Sequence, residues 1–85
     1  MSDIRTTLNE RGSRYGEFKD HARITQEIKR CFHRSPNWEK LENPHIEALE
    51  MIAHKIGRIL NGDPNYKDSW VDIVGYAQLV ADLLK

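Results

Sequence analysis

The sequence predicts an all-α fold: a three-helix domain with an antiparallel helical hairpin, completed as a helical bundle in a dimer. Apolar residues recur every three or four positions in three segments, which is the spacing of amphipathic helices. No segment alternates apolar and polar residues over the length of a strand. Only a short turn separates the last two helical segments, so these pack as antiparallel neighbours.

Length and composition indicate a single small domain. With 85 residues, a chain buries only a modest fraction of its surface and gains from a partner subunit. Lys+Arg and Asp+Glu are equal at 13 each, which makes nucleic acid an unlikely partner. The single cysteine, the absence of a signal-peptide pattern and the absence of a membrane-spanning segment predict a cytoplasmic protein.

Residues 1–14 are predicted to form a flexible or partner-dependent arm, and residues 15–85 to form the single all-α domain. The arm is polar, whereas the first helix, expected over Tyr15–His33, has a clear apolar stripe. A loop bracketed by two prolines follows, with one helical turn over Trp38–Leu41 and anchors at both ends of that turn. The stripe of the first helix consists of Phe18, Ala22, Thr25, Ile28 and Phe32.

The second helix has the clearest signals in the chain. Asn43 is placed to cap it, Pro44 suits the first helical position, and Asn61-Gly62 tolerates the left-handed conformation that ends many helices. The helix is expected to end near Leu60. Its apolar arc consists of Ile46, Leu49, Ile52, Ala53, Ile56, Ile59 and Leu60.

The third helix runs to Leu84 and begins with either Asp63 or Asp68 as its cap. One stripe contains Trp70, Ile73, Val74, Ala77, Val80, Ala81 and Leu84, and Trp70 is expected to lie in the core. A monomer has no use for a second apolar face. We therefore expect a homodimer through a second face of this helix, formed by Gly75, Tyr76, Leu79 and Leu83.

Four acidic residues are candidates for a metal site. Glu47 and Glu50 share one helix face, and Asp68 and Asp72 share another. Converging carboxylates suit Mg²⁺, which binds triphosphate oxygens and activates water. Surface charge favoured by the helix dipoles explains the same spacing, and both interpretations stay open.

Several further residues could contact a nucleotide. Lys55 and Arg58 are candidates for holding phosphate, although salt bridges to the third helix are an alternative. Tyr15 could stack on a base, whereas Asn61 is expected to end its helix. The four histidines show no pair at metal-binding spacing, and there is no phosphate-binding glycine loop.

Three stretches resemble a family of small phage and prophage proteins described only as a domain of unknown function. These stretches are YGEF at Tyr15–Phe18, EALEMIAHKIGRILNGDP at Glu47–Pro64 and DSWVDIVGYAQLV at Asp68–Val80. That family is similar to domains called nucleotide-modification-associated. The resemblance covers most of the chain from Tyr15 onward and implies a role in nucleotide chemistry.

A more distant similarity is to the all-α nucleoside triphosphate pyrophosphatases of the MazG-like type. It implies that Glu47, Glu50 and Asp72 hold Mg²⁺ and that Tyr76 is the aromatic neighbour of the last acid. Asp68 departs from the pattern because it is an aspartate one residue too far from Asp72, and it would orient water.

The resemblance therefore implies a phage or prophage accessory protein that binds a nucleotide through Mg²⁺, with nucleoside triphosphate pyrophosphohydrolysis as its reaction. Whether the chain is an enzyme stays open. The alternative is a non-catalytic helical dimer that binds a host or phage protein.

Overall fold

The computed structural model describes residues 2–84, which form helices and connecting turns without a strand. The predicted all-α fold is confirmed. The three expected helices are present, and an additional helix covers the segment expected to be an arm. The helices are α1 (Ser2–Tyr15), α2 (Phe18–His33), α3 (Asn43–Asn61) and α4 (Lys67–Leu83), and a 3₁₀ turn spans Trp38–Lys40.

The junction between α1 and α2 is held by the end of α3. Gly16 has φ +79°, in the left-handed region that favours glycine, so the chain turns there and α2 begins at Phe18 rather than at Tyr15. The side-chain amide of Asn61 donates to the carbonyls of Tyr15 and Glu17, each at 2.9 Å. Asn61 therefore both ends α3 and fixes this turn.

At three helix ends, the residue or backbone conformation differs from the prediction. Glu42, not Asn43, precedes the first turn of α3, and its backbone N–H donates to His45 Nδ1 at 3.1 Å. Gly62 has φ −129°, so the end of α3 uses no left-handed residue. Tyr66 precedes α4, so neither Asp63 nor Asp68 is its cap.

The loop between α2 and α3 is anchored by Trp38, as expected. Its ring stacks on Phe32 of α2, with 5.6 Å between the ring centroids and 22° between the planes. Leu41, the other expected anchor, is partly buried. These contacts let the chain reverse direction within a short segment.

The helices α2 and α4 lie on nearly opposite sides of α3. Gly57 of α3 packs against His21 and Thr25 of α2, while Lys55 forms an ion pair with Asp72 of α4. Each residue advances the helix by 100°, so the side chains of Lys55 and Gly57, two positions apart, point in directions about 160° apart. The helices α2, α3 and α4 therefore form a single layer with α3 in the middle.

This layer buries few apolar side chains. Among the described residues, the buried hydrophobic ones are Ala48 and Ala53, and no large side chain is fully buried. Trp70, expected in the core, is 52% exposed, and its indole N–H donates to the Pro64 carbonyl at 2.8 Å. The face of α4 that packs on α3 centres instead on the buried Ser69.

The molecule exposes more surface than a folded monomer of its size. Its accessible area is 6508 Å², whereas a 10.0 kDa monomer is expected to expose about 5,200 Å². Its radius of gyration is 14.7 Å, against about 12 Å for a compact chain of this length. Part of the excess comes from α1, which is exposed from Asp3 to Arg14. No helix within residues 2–84 has the length and apolar character needed to span a membrane.

Two mid-helix glycines allow a matched stability test. A Cβ on Gly57 would overlap Thr25 Oγ1 and lie 3.0 Å from the His21 ring, whereas a Cβ on Gly75 would meet no atom within 4 Å. We expect Gly57→Ala to lower the free energy of unfolding by about 1–3 kcal/mol through overpacking. We expect Gly75→Ala to raise it by up to about 1 kcal/mol, because alanine favours the helix.

Urea denaturation of both variants checks this prediction. Equal effects of the two substitutions would contradict the close packing of α2 on α3.

Candidate functional site

A basic cleft lies between α1, the start of α2 and one side of α3. Its volume is about 780 Å³, within the usual range of small-molecule sites. We call it the arginine cleft. Its lining includes three arginines, two aromatic residues and two histidines: Arg5, Arg11, Arg58, Tyr15, Phe18, His21 and His54.

Arg58 is the best-positioned cation of the cleft. Its guanidinium carbon lies 4.1 Å from the centre of the Tyr15 ring, which is a cation–π contact. Tyr15 is held at the end of α1 by the hydrogen bond from Asn61, one turn after Arg58 in α3. The tertiary structure therefore fixes the aromatic ring that orients the guanidinium.

The cleft carries excess positive charge. The ion pairs among the described residues join Arg23 to Glu27 and Lys55 to Asp72, so none involves an arginine of the cleft. Glu17 is the acidic residue among the lining residues. Arginine presents a planar fork of donors that matches phosphate and carboxylate oxygens. The arrangement is suited to binding an anion.

Two histidines form the floor of the cleft. His21 Nε2 lies 3.3 Å from His54 Nδ1 and 3.5 Å from Thr25 Oγ1. One of the two facing ring nitrogens must carry a proton and the other accept it, so the two tautomers are coupled. His21 Nδ1 is buried and has no partner of good hydrogen-bond geometry among the described residues, although the Gly57 backbone lies nearby.

Both histidines are neutral near pH 7. Burial lowers the pKa of His54 to about 4, and Arg58 adds to this shift. Burial also lowers the pKa of His21, while the Gly57 backbone partly opposes that effect. The positive charge of the cleft therefore comes from its arginines, and the histidines contribute neutral hydrogen-bonding groups.

The acidic residues proposed from the sequence lie outside this cleft. Asp72 forms an ion pair with Lys55, whose Nζ lies 2.9 Å from the carboxylate, and the Lys55 side chain is only 11% exposed. Asp68 accepts a hydrogen bond from the Tyr66 hydroxyl at 3.1 Å. Lys55 and Arg58 are both proposed to contact phosphate, but the structure separates them: Lys55 pairs with Asp72 of α4, whereas Arg58 lines the arginine cleft.

The register of the hairpin separates the two glutamates from Asp72. Because Lys55 lies opposite Asp72, Glu50 and Glu47 are displaced along α3 by about 7.5 Å and about 12 Å. Within residues 2–84, no three His, Cys, Asp or Glu side chains are close enough together to hold a metal ion. The side chains of one chain, as arranged, therefore do not fit Mg²⁺, and the assignment of Glu47, Glu50 and Asp72 as its ligands stays a prediction.

Sequence reasoning missed most of the cleft. Arg5 and Arg11 lie in the segment interpreted as an arm, and no periodic signal marked them as part of a site. His21 and His54 come from different helices, so a search for histidines one turn apart could not find the pair. Arg58 and Tyr15 were identified separately, and the structure brings them together.

The family comparison covers nearly the whole chain. A family model described as "Domain of unknown function (DUF6378)" matches residues 2–84. No curated protein and no solved structure matches the chain significantly. The match extends through α1, so the family pattern includes the helix that supplies Arg5 and Arg11 to the cleft.

The lowered pKa of the partly buried His54 predicts a pH-dependent stability. The pKa of His54 is about 4 in the folded chain, below its ordinary value of 6.5, so the unfolded chain binds the proton first as the pH falls. The free energy of unfolding should therefore fall between about pH 6.5 and about pH 4. Urea denaturation across this range measures the effect.

His54→Gln should flatten this dependence, because glutamine does not titrate. His33→Gln is the matched control: His33 is exposed and its ring contacts Trp38, so the substitution can offset the stability, but the change with pH should match that of the unaltered protein. An identical pH profile for all three proteins would exclude a lowered pKa of His54 in the folded chain.

Proposed function

We propose that this chain, which belongs to the family described as a domain of unknown function (DUF6378), binds a nucleotide in the arginine cleft. The observation that carries the proposal is the presence of three arginines, free of ion pairs to described carboxylates, beside two aromatic rings in one cleft.

A nucleotide suits the cleft better than a simple anion does. Arg5, Arg11 and Arg58 are enough to neutralise several phosphate charges. Phe18 is 78% exposed at the cleft, which leaves its ring available to stack on a base. The resemblance to nucleotide-modification-associated and MazG-like proteins, and with it the proposed phage or prophage setting, supports the same ligand class.

Binding of Mg²⁺ and pyrophosphohydrolysis are separate proposals. In them, Glu47, Glu50 and Asp72 hold the metal, Asp68 orients water and Lys55 contacts phosphate. The acids of one chain are not gathered into a metal site, so we derive no catalytic step from them. Arginines supply the positive charge in the cleft, and we therefore expect nucleotide binding without added Mg²⁺.

We further propose that the chain works as a homodimer through α4. The sequence assigns the contact to Gly75, Tyr76, Leu79 and Leu83, and Leu79 and Leu83 are each 63% exposed. The same exposure favours the second candidate function, in which the dimer binds a host or phage protein. A shallow groove along this side of α4 is lined by Val71, Asp72, Gly75, Tyr76, Gln78 and Leu79.

A thermal-shift screen with nucleoside mono-, di- and triphosphates tests ligand binding. A ligand that binds only the folded state raises the melting temperature by mass action. We expect a shift of several degrees with a triphosphate, and a smaller one with the monophosphate, because fewer charges meet the arginines. The screen is run with and without Mg²⁺.

Arg58→Gln should remove most of the shift, because it takes away the central cation of the cleft. Arg34→Gln is the matched control, since Arg34 is exposed at the end of α2 and does not line the cleft. Each variant is compared with its own ligand-free melting temperature. A shift that requires Mg²⁺ and is lost in Glu47→Gln but kept in Arg58→Gln would move the site to the acidic residues.

A further inference from the structure

The layer of three helices has two chemically different sides. On α3, Arg58 lies about 100° from Gly57 in one direction, towards the arginine cleft, and Ile56 lies about 100° in the other. Leu49 and Leu60 lie within about 40° of Ile56. The side of α3 that faces away from the cleft is therefore apolar.

The same side of α4 is also apolar. Asp72 pairs with Lys55, which lies about 60° from Arg58, so Asp72 points to the cleft side of the layer. Trp70 and Val74 each lie two residues from Asp72 and hence about 160° around the helix. We call the resulting surface the apolar face; it consists of Leu49, Ile56, Leu60, Trp70, Val74, Ala77 and Ala81.

The apolar face is open to solvent. Leu60 is 65% exposed, Trp70 52% and Val74 66%, while Leu49 and Ile56 are partly exposed. Domains are built from at least two packed layers, because a helix buries its apolar stripe only against another element. In the described part of the chain, α1 lies over the cleft side of the layer, and no helix covers the apolar face.

We infer that the second layer is a second copy of this chain, packed apolar face to apolar face in a two-layer helical bundle. The inference rests on the proposed homodimer and assigns its contact to Trp70 and Val74 instead of Leu79 and Leu83. The chain exposes about 1,300 Å² more than a compact monomer of its size, part of it from α1, and a standard interface buries roughly 800 Å² of each partner.

Charge favours a second copy on this face. All seven of its side chains are apolar, and Lys67, about 140° around α4 from Asp72, lies at its edge, so the centre of a two-fold contact would contain no charged side chain. The side of α4 that carries Leu79 also carries Asp72 and Asp82, so a two-fold contact there would include two carboxylates of each chain. Trp70 supplies the kind of large aromatic side chain that dominates interface energies.

Val74→Glu and Leu79→Glu form a matched pair that tests the assignment. Both positions are exposed in α4, at 66% and 63%, so neither charge is buried within one chain. We expect the unaltered protein to have about twice the 10.0 kDa chain mass by light scattering. Val74→Glu should reduce that mass to one chain, while Leu79→Glu should leave the dimer intact.

The outcomes separate this inference from the proposed dimer. An unaltered protein that is monomeric at tens of micromolar overturns both. Three results would overturn the assignment to the apolar face while leaving the dimer itself supported. The dimer could dissociate with Leu79→Glu alone, with both variants alike, or with neither. Circular dichroism confirms that each variant remains helical.

Trp70 gives an independent readout without a new charge. In a Trp38→Phe background, Trp70 is the remaining tryptophan of the chain. Its fluorescence should be protected from acrylamide in the dimer and become accessible on dilution or with Val74→Glu. Full accessibility in a dimeric sample would place Trp70 outside the interface and overturn the inference.

Discussion

The packing of α2 against Gly57 of α3 is the constraint on which the rest of the structure depends. Because Gly57 has no Cβ, His21 and Thr25 lie directly against the α3 backbone. This approach brings His21 within 3.3 Å of His54, with His21 buried, His54 partly buried and both rings neutral near pH 7. It also directs α2 to the side of α3 opposite α4, since Lys55 turns the other way to meet Asp72.

The single layer that follows from this geometry separates two kinds of chemistry. One side carries the arginines, the neutral histidines and the aromatic rings of the cleft. The other carries exposed aliphatic and indole groups, with Lys67 at its edge. The proposed ligand and the proposed second chain would therefore occupy opposite sides of the layer.

The predictive value of the sequence differed from residue to residue. The stripe of α2 and the arc of α3 were identified from spacing, because helical periodicity is a local property. Trp70 was also correctly placed on an apolar stripe, but its expected burial was wrong because periodicity shows that a face is apolar and not which neighbour covers it. Arg58 and Tyr15 were identified as separate candidates, whereas Arg5 and Arg11 gave no signal, since their role requires α1 to lie over α3.

The sequence by itself determined the all-α class, the existence of the three main helices and the antiparallel order of the hairpin, because these depend on residues close together in the chain. Only the tertiary structure decided which faces of the helices meet, and with that the grouping of charged residues. Asp72 pairs with Lys55 because the hairpin register sets them opposite each other, which leaves Glu47 about 12 Å further along α3. Contacts between residues far apart in the chain depend on such registers and crossing directions, which local spacing does not encode.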